Sequence, residues 1–187
     1  MQVGAEHEYP DSECLPNHST QCARKVIIQP MTEPKLVPTF KIEADIEAPM
    51  QVTDGKAILN VPSGKLMDAD GGFTIGELVS PSGDWLEIQA SGTMNLNIRE
   101  AFKLEDGHSL LATIAGRSVP NSNVSPKFEI GALVNGYEMY FISSIMMETN
   151  SKKYEWVNDK VFIGQMQEFV MPTKVSGRIK WEVFMVS

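Results

Sequence analysis

The stretch Thr93-Met94-Asn95-Leu96-Asn97-Ile98-Arg99-Glu100-Ala101-Phe102-Lys103 alternates along its length: Met94, Leu96, Ile98 and Phe102 share one side, and Asn95, Asn97, Arg99 and Lys103 the other. Successive side chains of an extended chain point to opposite faces, so this pattern predicts a strand with one buried face. Glu105-Asp106-Gly107 follows at once. It is a hairpin signal, because glycine reaches the positive φ of a tight turn without steric cost. Ser109 to Gly116 then reads as the returning strand.

The same texture extends in both directions. Upstream, Phe40 to Ile46 alternates cleanly, Ala57 to Val61 forms another strand, and Gly71-Gly72 opens a turn into Phe73 to Val79. Pro81-Ser82-Gly83-Asp84 separates that strand from Trp85 to Ala90. Downstream, Pro120 to Pro126 reads as a surface loop and Phe128 to Leu133 as a short helix or strand, and Gly136 to Met147, Tyr154 to Gly164 and Gly177 to Val186 complete the set. No long segment keeps the spacing of an amphipathic helix, so nothing supplies the crossovers that parallel strands require. The expectation is an all-β fold, a single antiparallel β-barrel of about eight or nine strands, since closure removes exposed sheet edges. A barrel of about this size is either just filled by its own side chains or holds one small ligand.

Length and composition agree with one domain. A chain of 187 residues, 42% hydrophobic and 21% charged, can bury one core. Residues 1–34 carry Pro10, Pro16, Pro30 and Pro34 among polar residues, which predicts a flexible or extended lead, with the barrel domain over 35–187. Sixteen Lys and Arg against twenty-four Asp and Glu give a net charge of −8, which repels nucleic acid and anionic membrane surfaces. Lys152-Lys153, flanked by Glu148 and Glu155, reads as a solvated loop. No segment has the basic and apolar regions of a signal peptide or the roughly 18 apolar residues of a membrane helix, so a cytoplasmic location is expected. Cys14 and Cys22 lack zinc-site spacing and read as reduced thiols or as a disulfide closing a small loop of the lead.

The sequence has no nucleophile elbow, phosphate-binding loop, dinucleotide fingerprint or zinc-protease motif, so neither a cofactor nor a metal is expected. Asn95, Asn97 and Arg99 face either solvent or a polar lumen. Tyr140, Ser144 and Glu148 share one face of their segment, and Glu148 ends an apolar run. Buried there, a carboxylate would hold its proton more tightly and could act as a general acid or base; in water it would be an ordinary strand-end charge. His108, beside the turn, reads as exposed. Several of the eleven Met, among them Met166 and Met171, could furnish a pliable apolar pocket or serve as core filler.

Several motifs occur in a telling order: Gly83-Asp84-Trp85, then Asn97-Ile98-Arg99, then Leu104-Glu105-Asp106-Gly107-His108-Ser109-Leu110, then Met147-Glu148-Thr149, and finally Tyr154-Glu155-Trp156-Val157-Asn158 with Val161-Phe162-Ile163-Gly164. From about residue 36 to 186 this series resembles the domain of unknown function 3237 family. The resemblance implies a lipocalin-like antiparallel barrel with a central cavity, and, for a fungal-type member, a companion of natural-product biosynthesis. It implies Trp85, Arg99, Asp106, Glu148, Trp156 and Asn158 as cavity residues. This chain departs from the family pattern in carrying Met146-Met147 before Glu148 and Ile142 where an Arg is usual, which makes a more apolar cavity the expectation; it also carries Glu100 where a Tyr is usual, a departure that bears on an inherited activity.

Together these readings lead to a cofactor-free isomerase or cyclase acting on a hydrophobic, polyketide- or terpenoid-like intermediate inside the barrel. Glu148 or Asp106 would exchange a proton beside a carbonyl, with Arg99 and Asn158 holding oxyanion charge. Trp85, Tyr140, Trp156, Asn97 and His108 would contact the substrate. A non-catalytic barrel that carries an apolar ligand is the alternative. A third reading is a barrel filled by its own side chains, with a surface patch that pairs with a partner or a second copy; a homodimer suits a small barrel.

Overall fold

The computed structural model describes residues 33–173 and 176–187. The expected lead, with Cys14 and Cys22, lies outside the described residues except for positions 33 and 34. The chain runs through β1 (Leu36–Ile46), β2 (Met50–Thr53), β3 (Lys56–Asn60), β4 (Ser63–Asp68), β5 (Thr74–Ile88), β6 (Met94–Leu104) and β7 (Ser109–Val119). A short helix α1 (Ser125–Ile130) precedes β8 (Leu133–Asn135) and β9 (Tyr140–Thr149), and a 3₁₀ turn (Glu155–Asp159) leads into β10 (Val161–Val170) and β11 (Gly177–Val186).

Eight of these strands close on themselves in the order β5-β4-β1-β11-β10-β9-β7-β6, with β6 returning to β5. Every pairing is antiparallel. The hairpin that opened the sequence reading joins β6 to β7: the Gly107 N–H donates to the Leu104 carbonyl at 2.9 Å, and Gly107 has φ 85, a conformation that favours glycine. The expected strand boundaries need three corrections. Phe73 to Val79 and Trp85 to Ala90 belong largely to one long strand, β5, whose irregular stretch between Val79 and Gly83 is bridged by Ser82. The Ser82 hydroxyl accepts from the Ala101 N–H at 2.9 Å and donates to the Val79 carbonyl at 2.8 Å, replacing ladder bonds lost there. Tyr154 to Lys160 is not strand, because residues 155–159 coil into the 3₁₀ turn, and Gly136 to Met139 precedes β9 rather than forming it. Two strands had no alternation to reveal them: β2 is exposed at every position, and β4 buries only Leu66.

Alternation does decide which way the barrel wall faces. Met94, Leu96, Ile98, Glu100, Phe102 and Leu104 of β6 are buried, whereas Asn97, Arg99 and Lys103 are exposed. One end of the barrel is packed shut. Phe40 and Phe162 meet there at 5.8 Å between ring centres, and Trp156, carried on the 3₁₀ turn, stacks on Phe40 at 5.7 Å. Nearer the middle Trp181 is buried and packs edge-on against Phe141 at 5.0 Å. Phe40, Phe141, Phe162 and Trp181, all buried, each contribute about 1.5–3 kcal/mol or more through burial alone.

Candidate functional site

Toward the other end the interior is not filled. Its walls are the last turns of chain where β1, β7 and β10 end and β6, β9 and β11 begin, since Met94 faces Ser118, Ser118 faces Phe141 and Phe169 faces Ile179. The hairpin of β2 and β3 extends this end by pairing with the second half of β5. The space is a small cavity of about 50 Å³. Leu59, Leu86, Leu96, Phe169, Met171 and Trp181 make its lining largely apolar.

Three polar side chains interrupt that lining: Asp84, Glu100 and Ser118. Glu100 is 2% exposed and Ser118 fully buried; Glu100 Oε2 and Ser118 Oγ have no hydrogen-bond partner. Asp84 Oδ1 accepts from the Asn97 N–H at 2.9 Å. Loss of water around Glu100, with the neighbouring charge of Asp84 added, pushes its carboxyl up to about 7. Desolvation likewise pushes Asp84 up to about 6, against the opposing pull of the Asn97 hydrogen bond. No cation lines the cavity among the described residues. An apolar chamber therefore holds two carboxyl groups that both keep their protons to higher pH than usual and to different degrees, the arrangement from which acid and base roles separate.

Sequence reasoning quoted both residues without assigning them a role, although the signal was present. Glu100 has the parity of Ile98 and Phe102, and Asp84 that of Leu86 and Ile88, so each sits among apolar residues on the buried face. Of the residues expected instead, Glu148 and Asn158 line one open surface depression with Leu111, and Trp85 and Asn97 line another, but none lines the interior cavity. Arg99 and Asn97 point outward, the Arg99 guanidinium donating to Asn97 Oδ1 at 2.9 Å. Glu148 is exposed on the outer face of β9, and Tyr140 is 58% exposed at its start. Trp85 lies outside on β5, beside Ile58 and Asn97. Ile142 and Met146 also point away from the interior, so of the expected apolar departures only Met147 faces it.

The remaining motif residues hold the closed end together. Asp106 accepts from the Ser151 hydroxyl and from the His108 N–H, and these bonds hold its carboxyl below the usual range. His108 Nδ1 lies 3.2 Å from Asp106 Oδ1 at the surface. Glu105 accepts from Lys153 and from the Tyr154 hydroxyl, tying the hairpin to the 3₁₀ turn. Asn158 clips the end of β9: its Oδ1 accepts from the Thr149 N–H at 2.8 Å and its Nδ2 donates to the Thr149 carbonyl at 3.0 Å. Asn158→Ala is expected to lower stability by about 1–3 kcal/mol, read as a shifted urea midpoint, because it leaves both backbone groups unpaired. Among the described residues no cluster of His, Cys, Asp and Glu is arranged to hold a metal ion, and no helix is long and apolar enough to cross a membrane.

A family model described as "Protein of unknown function (DUF3237)" matches residues 34–181. No curated protein matches the chain. Among solved structures, a conserved protein of unknown function from Rhodopseudomonas palustris is similar at 19% identity and TM-score 0.71, over 84% of this chain and 99% of its own. A β-barrel-like protein from Acinetobacter baumannii is similar at 16% identity and TM-score 0.62, over 84% of this chain and 98% of its own. A structure described as an enzyme from Penicillium herquei is similar at 17% identity and TM-score 0.53, over 83% of this chain and 98% of its own. At such identities the likeness is one of fold.

Proposed function

The chain belongs to the DUF3237 family of proteins of unknown function, and from that premise we propose that it isomerises or cyclises a small, mostly apolar molecule by proton transfer inside the barrel. The observation that carries this reading is the buried carboxyl of Glu100, with an unpartnered oxygen on an apolar cavity that it shares with Asp84. In this scheme the protonated carboxyl of the pair donates to a carbonyl oxygen of the guest while the ionised one takes a proton from the adjacent carbon. The resulting enol is reprotonated at a different carbon, or attacks an electrophilic carbon of the same guest, whose developing anion takes a proton from the pair as the enol O–H proton returns to it. Protons return to the pair, nothing is oxidised or reduced, and neither metal nor nucleotide is called upon. The cavity of about 50 Å³ is far smaller than the about 300–1,000 Å³ of pockets that hold whole drug-sized ligands, so in this reading it admits only the reacting end of the guest.

A carrier barrel is the second reading. It is favoured by the absence of any cation on the cavity wall, among the described residues, to steady a full oxyanion. Transfer of solvent deuterium from D₂O to the carbon beside the carbonyl of small apolar enones separates the two. Catalysis predicts exchange by the full chain that falls about 100-fold or more in Glu100→Gln and in Asp84→Asn. Glu148→Gln and Arg99→Ala, both on the outer wall, should leave it unchanged. Saturable binding with no exchange, and the ligand recovered unaltered, would replace the enzymatic reading with the carrier.

A further inference from the structure

The outer wall of the barrel is divided in character. On β1 and β11 the outward positions are charged: Lys41, Glu43 and Asp45 on one, Arg178, Lys180 and Glu182 on the other. Lys180 there pairs with both Glu43 and Glu168, at 3.6 and 3.3 Å. The wall formed by β6, β7, β9 and β10, which starts beside β11 and runs round to β6, presents Ala101, Leu111, Thr113, Met146, Val161 and Ile163 instead. Strand register sets these side by side, with Ala101 facing Leu111, Thr113 facing Met146 and Met146 facing Val161. Leu111, Met146 and Val161 are 38%, 51% and 45% exposed, so an apolar face lies open here, whereas the wall of β1 and β11 is charged.

Within this face stand two charges. Arg99 lies on β6, across from Thr113, and Glu148 lies on β9, across from Leu111. Neither belongs to any ion pair among the described residues. They flank the central strand β7 from either side.

We propose that this face docks a second copy of the chain about a two-fold axis lying over β7. Such an axis, running across the line from Arg99 to Glu148, sets Arg99 of each copy against Glu148 of the other. The face is thus complementary to itself, which is the requirement for an isologous interface. Its apolar centre is what two copies would bury, while Lys103 and Arg117 stand at the rim in contact with water. A second copy also answers the charge balance. Two chains of net charge −8 repel each other unless the surfaces that meet are locally neutral, and the single positive and single negative charge of this face cancel.

Sedimentation velocity of the full chain at micromolar concentrations tests the proposal. Wild type should run as a dimer, and Leu111→Asp as a monomer with an unchanged circular-dichroism melt. R99E alone and E148R alone should each dimerise at least about 100-fold more weakly, because each reversal places two like-charged pairs in the interface. An equimolar mixture of R99E with E148R should regain the dimer, since every pair across the joint then has opposite signs. A monomeric wild type, a dimer indifferent to the single reversals, or a mixture that stays monomeric would each overturn the proposal. None of these outcomes bears on the interior cavity.

Discussion

Glu100→Gln is expected to be more stable than wild type by about 3 kcal/mol at pH 8, by about 1 kcal/mol at pH 5, and nearly equal to it at about pH 4. The reason is linkage. In the unfolded chain Glu100 releases its proton near its ordinary value of 4.5, whereas burial and the charge of Asp84 hold that proton up to about 7 in the fold. Between those two values the native state binds more protons than the unfolded state, so stability falls as pH rises through the window and levels off above it. Glutamine has nearly the same shape and cannot ionise, so the variant loses this slope. The buried Asp84 contributes in the same sense, between 3.8 and about 6, and its own slope stays in both proteins. Glu105, Asp106 and Glu138, whose carboxyls are held low by hydrogen bonds, act in the opposite sense at acid pH and cancel in the comparison. Urea unfolding at a series of pH values would decide the matter. Parallel curves for the two proteins would mean that Glu100 is not the desolvated acid described here.

Trp181→Ala is expected to destabilise the fold by about 3–5 kcal/mol, lowering the melting temperature by roughly 6–20 °C. Trp181 is among the largest fully buried side chains, packs on Phe141 and touches the ring of residues around the cavity. Its removal deletes dispersion contacts on several strands at once, and a closed barrel cannot collapse onto the space because its strands are fixed by pairing on both sides. The same truncation should widen the chamber, so a bulkier apolar guest ought to bind the variant better than wild type. A loss below about 1 kcal/mol would show that the wall relaxes freely, which the pairing argument forbids.

The barrel could be read from the chain because its evidence is local. The alternation of β1 and β6, the turn at Asp106-Gly107 and the absence of amphipathic helices each follow from neighbouring residues. Where local pattern was silent, as in the wholly exposed β2 or the glycine-bearing β4, the strands went unseen. The Tyr154 segment was misassigned for a related reason: its aromatic content suits a strand, but tertiary contacts of Trp156 with Phe40 and Phe162 favour a 3₁₀ turn that seals the barrel end.

The motif order identifies the family, and the fold places the site residues it implied on the outer wall and at the closed end of the barrel. Asp106, Trp156 and Asn158 occur in that series, and here they brace the 3₁₀ turn and the end of β9, so their place in the pattern is explained by architecture. Glu100 and Asp84 are charged residues at buried parity, and that position is what brings them to the interior cavity. The sequence by itself determined the two faces of each strand and hence that Glu100 shares a side with Ile98 and Phe102. Only the tertiary structure decided which side was inside, since a period of two is blind to the direction of closure. Closing the sheet turned the apolar face inward, placed Asp84 and Glu100 on one cavity from different strands and left Arg99 and Glu148 on the outer wall.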